Sequence, residues 1–326
     1  MNSLSAKTMF VFPGQGSQYK GMGSDIHQEF GVVRSIYDKA SEIAGWDVAE
    51  LSFNDPEENL GITEFTQVAL LTHSVSCLEV FREVTEDRIN PSVAAGHSVG
   101  EYAALVAAGA LTFERALKLV QIRGQLMGEY GRGAMAALSL DLDTVREFVN
   151  SFYCDVGSCN LPDQTVVGGA KEDLDLLVEY AKSKYRTRAI PLKTGGAFHT
   201  YLMIDAAMKF RPILDSTDVA PPKVDVLSNY TGRYHSSDPS TIKALLFFQL
   251  FNPVKWIWGM LQALNDGVNL VVEFGGGIGS GETPDQKRPN LENITRKAIT
   301  KAASDAIYMP AINSATIKET LRLLVR

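Results

Sequence analysis

Cysteine is scarce. The 326-residue chain has three, Cys77, Cys154 and Cys159, an odd number without a Cys-x-x-Cys pair, which argues against a disulfide framework and against a zinc site of cysteine spacing. Long apolar runs are missing too: nothing approaches the ~18–20 consecutive apolar residues of a bilayer span, so no membrane association is expected. Positive charge is in deficit, with 31 Lys and Arg against 38 Asp and Glu and a net charge of −7, whereas nucleic-acid binding needs a basic footprint. Residues 1–16, MNSLSAKTMFVFPGQG, run from one lysine directly into a strand-like segment and a glycine turn. They lack the three-part plan of a signal peptide, and the expected location is the cytoplasm. Histidines number five and do not cluster with acidic residues or cysteines at metal-ligand spacing, so no metal is expected. The glycine-rich stretches PGQGSQYKG and EFGGGIGSG have neither the lysine of a P-loop nor the spacing of a dinucleotide fingerprint, so no bound cofactor is implied.

What the chain does have is an alternation of strand and helix patterns, with the length for one large α/β domain carrying an insertion. TMFVFPGQG predicts a buried strand ending in a glycine turn, GVVRSIYDKASEIAG an amphipathic helix stopped at Gly45, and FTQVALLTHSVSCLEVFREV a long, mostly buried helix. Residues 132–196 have a different rhythm. GAMAALSL predicts a strand, LDTVREFVNSF a helix, CDVGSC and QTVVGGA two strands separated by NLPD, KEDLDLLVEYAKSK a helix and TRAIPLKT a closing strand. This βαββαβ order is the ferredoxin-like unit. It predicts a subdomain at 132–196 inserted into a catalytic domain formed by 1–131 and 197–326, where the strand-helix pattern resumes with KVDVLSN, STIKALLFFQLF and NLVVEFGGG. A cleft between the two parts is the expected ligand site.

The stretch AAGHSVGEYAAL holds Gly96, Ser98 and Gly100 in a Gly-x-Ser-x-Gly pattern between a short strand, SVAA, and a helix. That context is what a nucleophile elbow needs. Flanking glycines permit the strained turn that exposes a serine hydroxyl at a helix N-terminus, where the Val99 amide can face a substrate. A serine hydroxyl also needs a base. His27, His73 and His235 lie in contexts that read as surface or packing, and His97 adjoins the nucleophile on a turn whose side chains diverge. His199, in KTGGAFHTYLM, follows a strand and two glycines where the inserted unit returns to the main domain, and is the best candidate.

Six segments, FVFPGQGSQYKGMG, GHSVGEYAALVAAGAL, QIRGQLM, GAFHTYLM, NPVKW and VVEFGGG, occur in the order and at about the spacing seen in malonyl-CoA:acyl-carrier-protein transacylases and polyketide-synthase acyltransferases. The resemblance covers nearly the whole chain. It implies an α/β-hydrolase-like large domain with a ferredoxin-like subdomain, malonyl-CoA as substrate, and the phosphopantetheine thiol of an acyl carrier protein as acceptor. By the same resemblance Ser98 is the acyl nucleophile, His199 its base, and the backbone N–H groups of Gln15 and Val99 the oxyanion hole. Gln249 supplies a main-chain carbonyl that orients the histidine, in place of an aspartate. Arg123, in QIRGQLM, would clamp the free carboxylate of a malonyl group, a task for a planar, bidentate guanidinium. Phe198 resembles the bulky residue of malonyl-selective members, and Gln67 and Asn160 match polar cleft positions, although Asn160 fits a turn equally well.

One departure concerns pathway. Most fatty-acid members have Gly-Pro-Gly after the last core strand. Here Gly275-Gly276-Gly277 is followed by an extended IGSGETPDQKRPNLENITRKA, which looks like the stand-alone acyltransferases that load polyketide assembly lines in trans. The alternatives are a housekeeping fatty-acid transacylase and an editing hydrolase on the same fold. Two basic clusters, Lys182, Lys184, Arg186, Arg188 and Lys193, and Lys287, Arg288, Arg296 and Lys297, read as solvated faces or as docking surfaces for an acidic carrier.

Overall fold

The chain builds two sheets on opposite rules. In the computed structural model, which describes residues 7–324, the strands are β1 (Thr8–Phe12), β2 (Val93–Gly96), β3 (Ala134–Leu138), β4 (Asp155–Leu161), β5 (Gln164–Gly169), β6 (Ala189–Leu192), β7 (Asp225–Val226), β8 (Leu270–Phe274) and β9 (Ile307–Ala311). Residues 1–6, on which part of the signal-peptide reading rests, lie outside the described residues. The larger sheet is parallel, in the order β7-β2-β1-β8-β9. The smaller is antiparallel, in the order β4-β5-β3-β6, the arrangement of a ferredoxin-like unit. Among the described residues no helix is long and apolar enough to cross a membrane.

β1 shows why its sequence is an unbroken apolar run: all five residues are buried, as a central parallel strand covered on both faces requires. Its side chains alternate between two cores. Phe10 and Phe12 pack with Phe81 and Phe274, the Phe10 and Phe274 rings 4.7 Å apart. Met9 and Val11 face a second core shared with Ala136, Leu138, Val156 and Val167 of the small sheet. Each such side chain contributes about 1.5–3 kcal/mol on burial, so one strand ties both sheets together.

The small sheet differs from its sequence pattern in two places. LDTVREFVNSF is not one helix: an α-helix at Leu142–Arg146 gives way to a 3-10 turn at Val149–Phe152. Phe148 leaves helical geometry at φ −133°, and Val145, Phe148 and Val149 all lie buried in the second core. The NLPD turn is also shorter than expected, because Asn160 and Leu161 extend β4. Register shifts flank Ser158 and Cys159; such bulges re-aim side chains, and both Ser158 and Asn160 reach the cleft. The NPVKW segment forms the seam between the sheets: Cys159 N–H donates to Val254 O at 2.8 Å and Val254 N–H to Gly157 O at 3.0 Å.

Helix packing sets the remaining wall. The Thr63–Thr85 and Phe113–Tyr130 helices meet at Gly124, where a Cβ would lie 3.0 Å from Glu64 Cα and from Thr63 O. That close approach brings Gln67 against Arg123. The turns after β1 and β2 open at the carboxyl edge of the parallel sheet, the usual ligand edge of open α/β sheets.

Candidate active site

Ser98 sits on the turn between β2 and the Gly100–Ala107 helix at φ 54°, a left-handed conformation that costs a non-glycine residue about 1–2 kcal/mol. The neighbouring glycines are sterically required. A Cβ on Gly96 would lie 1.9 Å from the Gly100 carbonyl carbon, and one on Gly100 would lie 2.3 Å from Phe12 O. The Ser98 N–H donates to Asn229 Oδ1 at 2.6 Å, which helps to fix the strained turn.

His199 is the histidine the fold brings to this serine: its Nε2 lies 2.7 Å from Ser98 Oγ, and Nδ1–H donates to the Gln249 carbonyl at 2.7 Å. A carbonyl only accepts, so Nδ1 carries the proton and Nε2 is left with a lone pair for the hydroxyl. Burial, followed by the positive charge of Arg123, pushes the imidazole down to about 3, against the pull of the Gln249 carbonyl. The ring is therefore neutral at pH 7 and can accept a proton.

Arg123 is fully buried. It donates from Nη1 to Gln67 Oε1 at 2.7 Å, and from Nη2 to Gln249 Oε1 at 3.1 Å and Ser98 Oγ at 3.2 Å. Its Nε has no partner among the described residues. A cavity of about 310 Å³ opens over these groups between the two sheets, lined also by Gln15, Val99, Phe198 and Asn160. All nine residues singled out from the sequence thus border one site or bond to it. Asn160 is a strand residue whose Oδ1 accepts from His97 Nε2 at 2.8 Å. His97 turns its ring into the same cavity but bonds to Asn160 instead of the serine.

Sequence reasoning missed three buried polar residues behind the site. Glu101 is fully buried, and its carboxylate accepts from Gln249 Nε2, Asn229 N–H and His235 Nε2. Glu101 stands in the first turn of a helix, where an acidic residue ordinarily reads as a solvated N-terminal charge. His235 and Asn229 lie in a loop after β7 that carries no motif. Among the described residues no group of His, Cys, Asp and Glu could hold a metal ion.

The arrangement can form an ester on Ser98 and can hold a carboxylate beside it. Comparisons with known proteins agree with that chemistry. The acyl transferase domain profile matches residues 9–274. The malonyl CoA-acyl carrier protein transacylase of Bacillus subtilis is 37% identical over 281 residues, 83% of this chain and 87% of that protein. An acyl-carrier-protein S-malonyltransferase structure from Burkholderia pseudomallei superposes with a TM-score of 0.86 at 34% identity, covering 97% of this chain and 99% of that one. A malonyl-transacylase solved with a holo type II polyketide-synthase acyl-carrier protein gives a TM-score of 0.86 at 31% identity, covering 98% and 100%.

Proposed function

The chain belongs to the acyl transferase domain family, with the malonyl-CoA:acyl-carrier-protein transacylases as its relatives, and from that premise we propose that it moves malonyl groups from malonyl-CoA to an acyl carrier protein. The observation that carries the reading is the buried Arg123 guanidinium 3.2 Å from Ser98 Oγ. A hydrolase for neutral acyl groups has no use for a desolvated cation at that point, whereas a malonyl group ends in a carboxylate that a guanidinium binds through two charge-assisted bonds.

Transfer proceeds in two half-reactions. Ser98 Oγ attacks the thioester carbonyl as its proton passes to His199 Nε2, and the backbone N–H groups of Gln15 and Val99 receive the developing oxyanion. Collapse breaks the C–S bond, and His199 returns the proton to the departing CoA thiolate. In the second half-reaction the phosphopantetheine thiol of the carrier gives its proton to His199 and attacks the malonyl-serine ester. Ser98 leaves and is reprotonated. No bound cofactor or metal takes part. Phe198 narrows the acyl pocket and gives a preference for malonyl over methylmalonyl, bounded by the ~1–3 kcal/mol a methyl is worth. Gln67 holds Arg123, and Asn160 holds His97 at the cavity wall.

The carrier is proposed to belong to a polyketide synthase served in trans. The triple glycine supports this: Gly276 has φ 65° and donates its N–H to His73 Nδ1 at 3.0 Å. Proline, with φ fixed near −65° and no N–H, fits neither feature. The loop after β8 therefore departs physically from the Gly-Pro-Gly form. Challenging the enzyme with a polyketide carrier and a fatty-acid carrier tests the assignment; equal or faster transfer to the fatty-acid carrier reassigns it to the housekeeping pathway. Both substrates would be met in the cytoplasm, the proposed location.

A further inference from the structure

Glu101 joins the two halves of the site. Its Oε2 accepts from the Asn229 N–H at 3.0 Å and from Gln249 Nε2 at 2.8 Å, and its Oε1 accepts from His235 Nε2 at 2.6 Å. Asn229 holds the nucleophile turn, with Oδ1 on the Ser98 N–H and Nδ2 donating to Gly96 O at 2.7 Å. Gln249 holds the opposite side: its main-chain carbonyl accepts from His199 Nδ1–H, its Oε1 accepts from Arg123 Nη2, and its Nε2 also donates to Ser98 O at 3.0 Å. Glu101 has no Lys or Arg in ion-pair range among the described residues, only His235, and Arg123 bonds to neutral groups alone. Two buried ionisable side chains of opposite sign are therefore joined by one amide, that of Gln249.

We propose that Glu101 is a positioning residue with two effects: it clamps Asn229 and Gln249 so that Ser98 and His199 meet, and through the Gln249 amide it offsets the charge of Arg123 toward an incoming carboxylate. A site containing Arg123 with no buried anion would hold a malonyl group too tightly to pass it on. With Glu101 in place the guanidinium recognises the carboxylate and the ester remains transferable. The second effect rests on the malonyl reading; the first does not.

Two variants separate the effects. In Glu101→Gln the amide oxygen can still accept from Asn229 and Gln249. His235 Nδ1 has no partner, so that ring can move its proton to Nδ1 and accept from the new NH₂ group at Nε2. All three hydrogen bonds to residue 101 survive and its charge is lost; the new Nδ1–H of His235 has no acceptor among the described residues, a cost to stability that the labelled fraction reads. In Glu101→Asp the charge is kept, but the arm is too short to reach all three donors.

The assay is single-turnover acylation of Ser98 followed by intact mass, using malonyl-CoA and, separately, a neutral aryl acetate ester, with the labelled fraction recorded. Glu101→Gln is expected to lower the half-saturating malonyl-CoA concentration by about threefold or more and to slow onward transfer to the carrier, with half-saturation by the neutral ester unchanged. Glu101→Asp is expected to slow acylation by both reagents about tenfold or more, with half-saturation unchanged, as expected when hydrogen bonds to a charged group are mis-set. Unaltered constants in both variants would overturn the proposal. A smaller labelled fraction at unchanged rate and half-saturation would also overturn it, because Glu101 would then serve the fold alone. Should Glu101→Gln fail to fold, the Asp variant decides the clamping effect by itself. Wild-type enzyme labelled by the aryl ester but not by malonyl-CoA would defeat the malonyl reading and the charge effect, while the aryl-ester arm still tests the clamp.

Discussion

Replacing Arg123 by alanine should convert a malonyl-selective site into an indifferent one. The guanidinium is fully buried and reaches Ser98 Oγ at 3.2 Å, so a malonyl carboxylate bound there exchanges water for charge-assisted bonds in a dry pocket. Such bonds are worth about 1.5–3 kcal/mol each. Two of them, with incomplete additivity, give about 4 kcal/mol, or a loss of about 10³ in kcat/KM at 1.36 kcal/mol per tenfold. Acetyl-CoA has no carboxylate and should lose less than about tenfold. The substitution also strands the Gln67 and Gln249 side-chain oxygens that accept from Arg123, at about 1–3 kcal/mol of stability per unsatisfied group. Thermal melting and the labelled fraction must therefore accompany the kinetics. Single-turnover labelling with malonyl-CoA and acetyl-CoA, followed by intact mass, measures both substrates on the same preparation. Equal losses for the two would refute the reasoning and leave Arg123 a structural residue.

Other consequences follow from the same geometry. His199 is held well below its ordinary value, at about 3, and the proposed base is its neutral form. The acid limb of the pH profile of kcat/KM should therefore lie far below pH 6.5, and Arg123→Ala, which removes the charge that lowers it, should move the limb upward. A limb near 6.5 in the wild type would contradict this. Ser98 has φ 54°, so Ser98→Gly should be more stable than Ser98→Ala by about 1 kcal/mol in denaturant titrations, since both lose the hydroxyl and only alanine keeps the left-handed strain; equal stabilities would mean that the turn is relaxed. Charge reversal at Lys182, Arg186 and Arg188, all exposed, should slow transfer to an acidic carrier and leave malonylation from CoA unchanged. If both half-reactions fall together, the docking idea fails. Gly276→Pro should cost about 3 kcal/mol or more, because it forces φ and removes the donor to His73; a melting temperature within error of the wild type would show that the loop can adopt the Gly-Pro-Gly form.

The sequence carried most of what is local. A buried parallel strand, a glycine-flanked serine and a βαββαβ rhythm all have short-range patterns, and the sheets follow them. Ser98, His199, Arg123 and Gln249 come from four distant segments, and the structure sets them within hydrogen-bond reach of one another. Their meeting was suggested by the order of motifs, since no periodicity brings position 98 to 199. LDTVREFVNSF failed as a continuous helix although Val145, Phe148 and Val149 share one helical face; its second half, with Val149, Asn150 and Ser151, is made of weak helix formers, and there the chain tightens into a 3-10 turn. Asn160 was ambiguous because NLPD is turn-like in composition, yet cross-strand pairing extended β4 through it. Glu101, Asn229 and His235 were invisible for a stronger reason. A lone Glu, Asn or His carries no sign of burial, and their bonds to one another span more than a hundred residues. Only tertiary structure shows that the acid beside the serine motif faces inward.

The central claim is that Ser98 receives a malonyl group and gives it to a carrier thiol. Intact-mass spectra of wild type and Ser98→Ala after brief exposure to malonyl-CoA, with and without holo acyl carrier protein, test it most directly. A malonyl adduct is expected on the wild type alone, and it moves to the carrier when one is added. Rapid loss to free malonate without a carrier, or no malonyl adduct alongside turnover of longer acyl thioesters, would mean that the serine serves water and that the enzyme is a hydrolase.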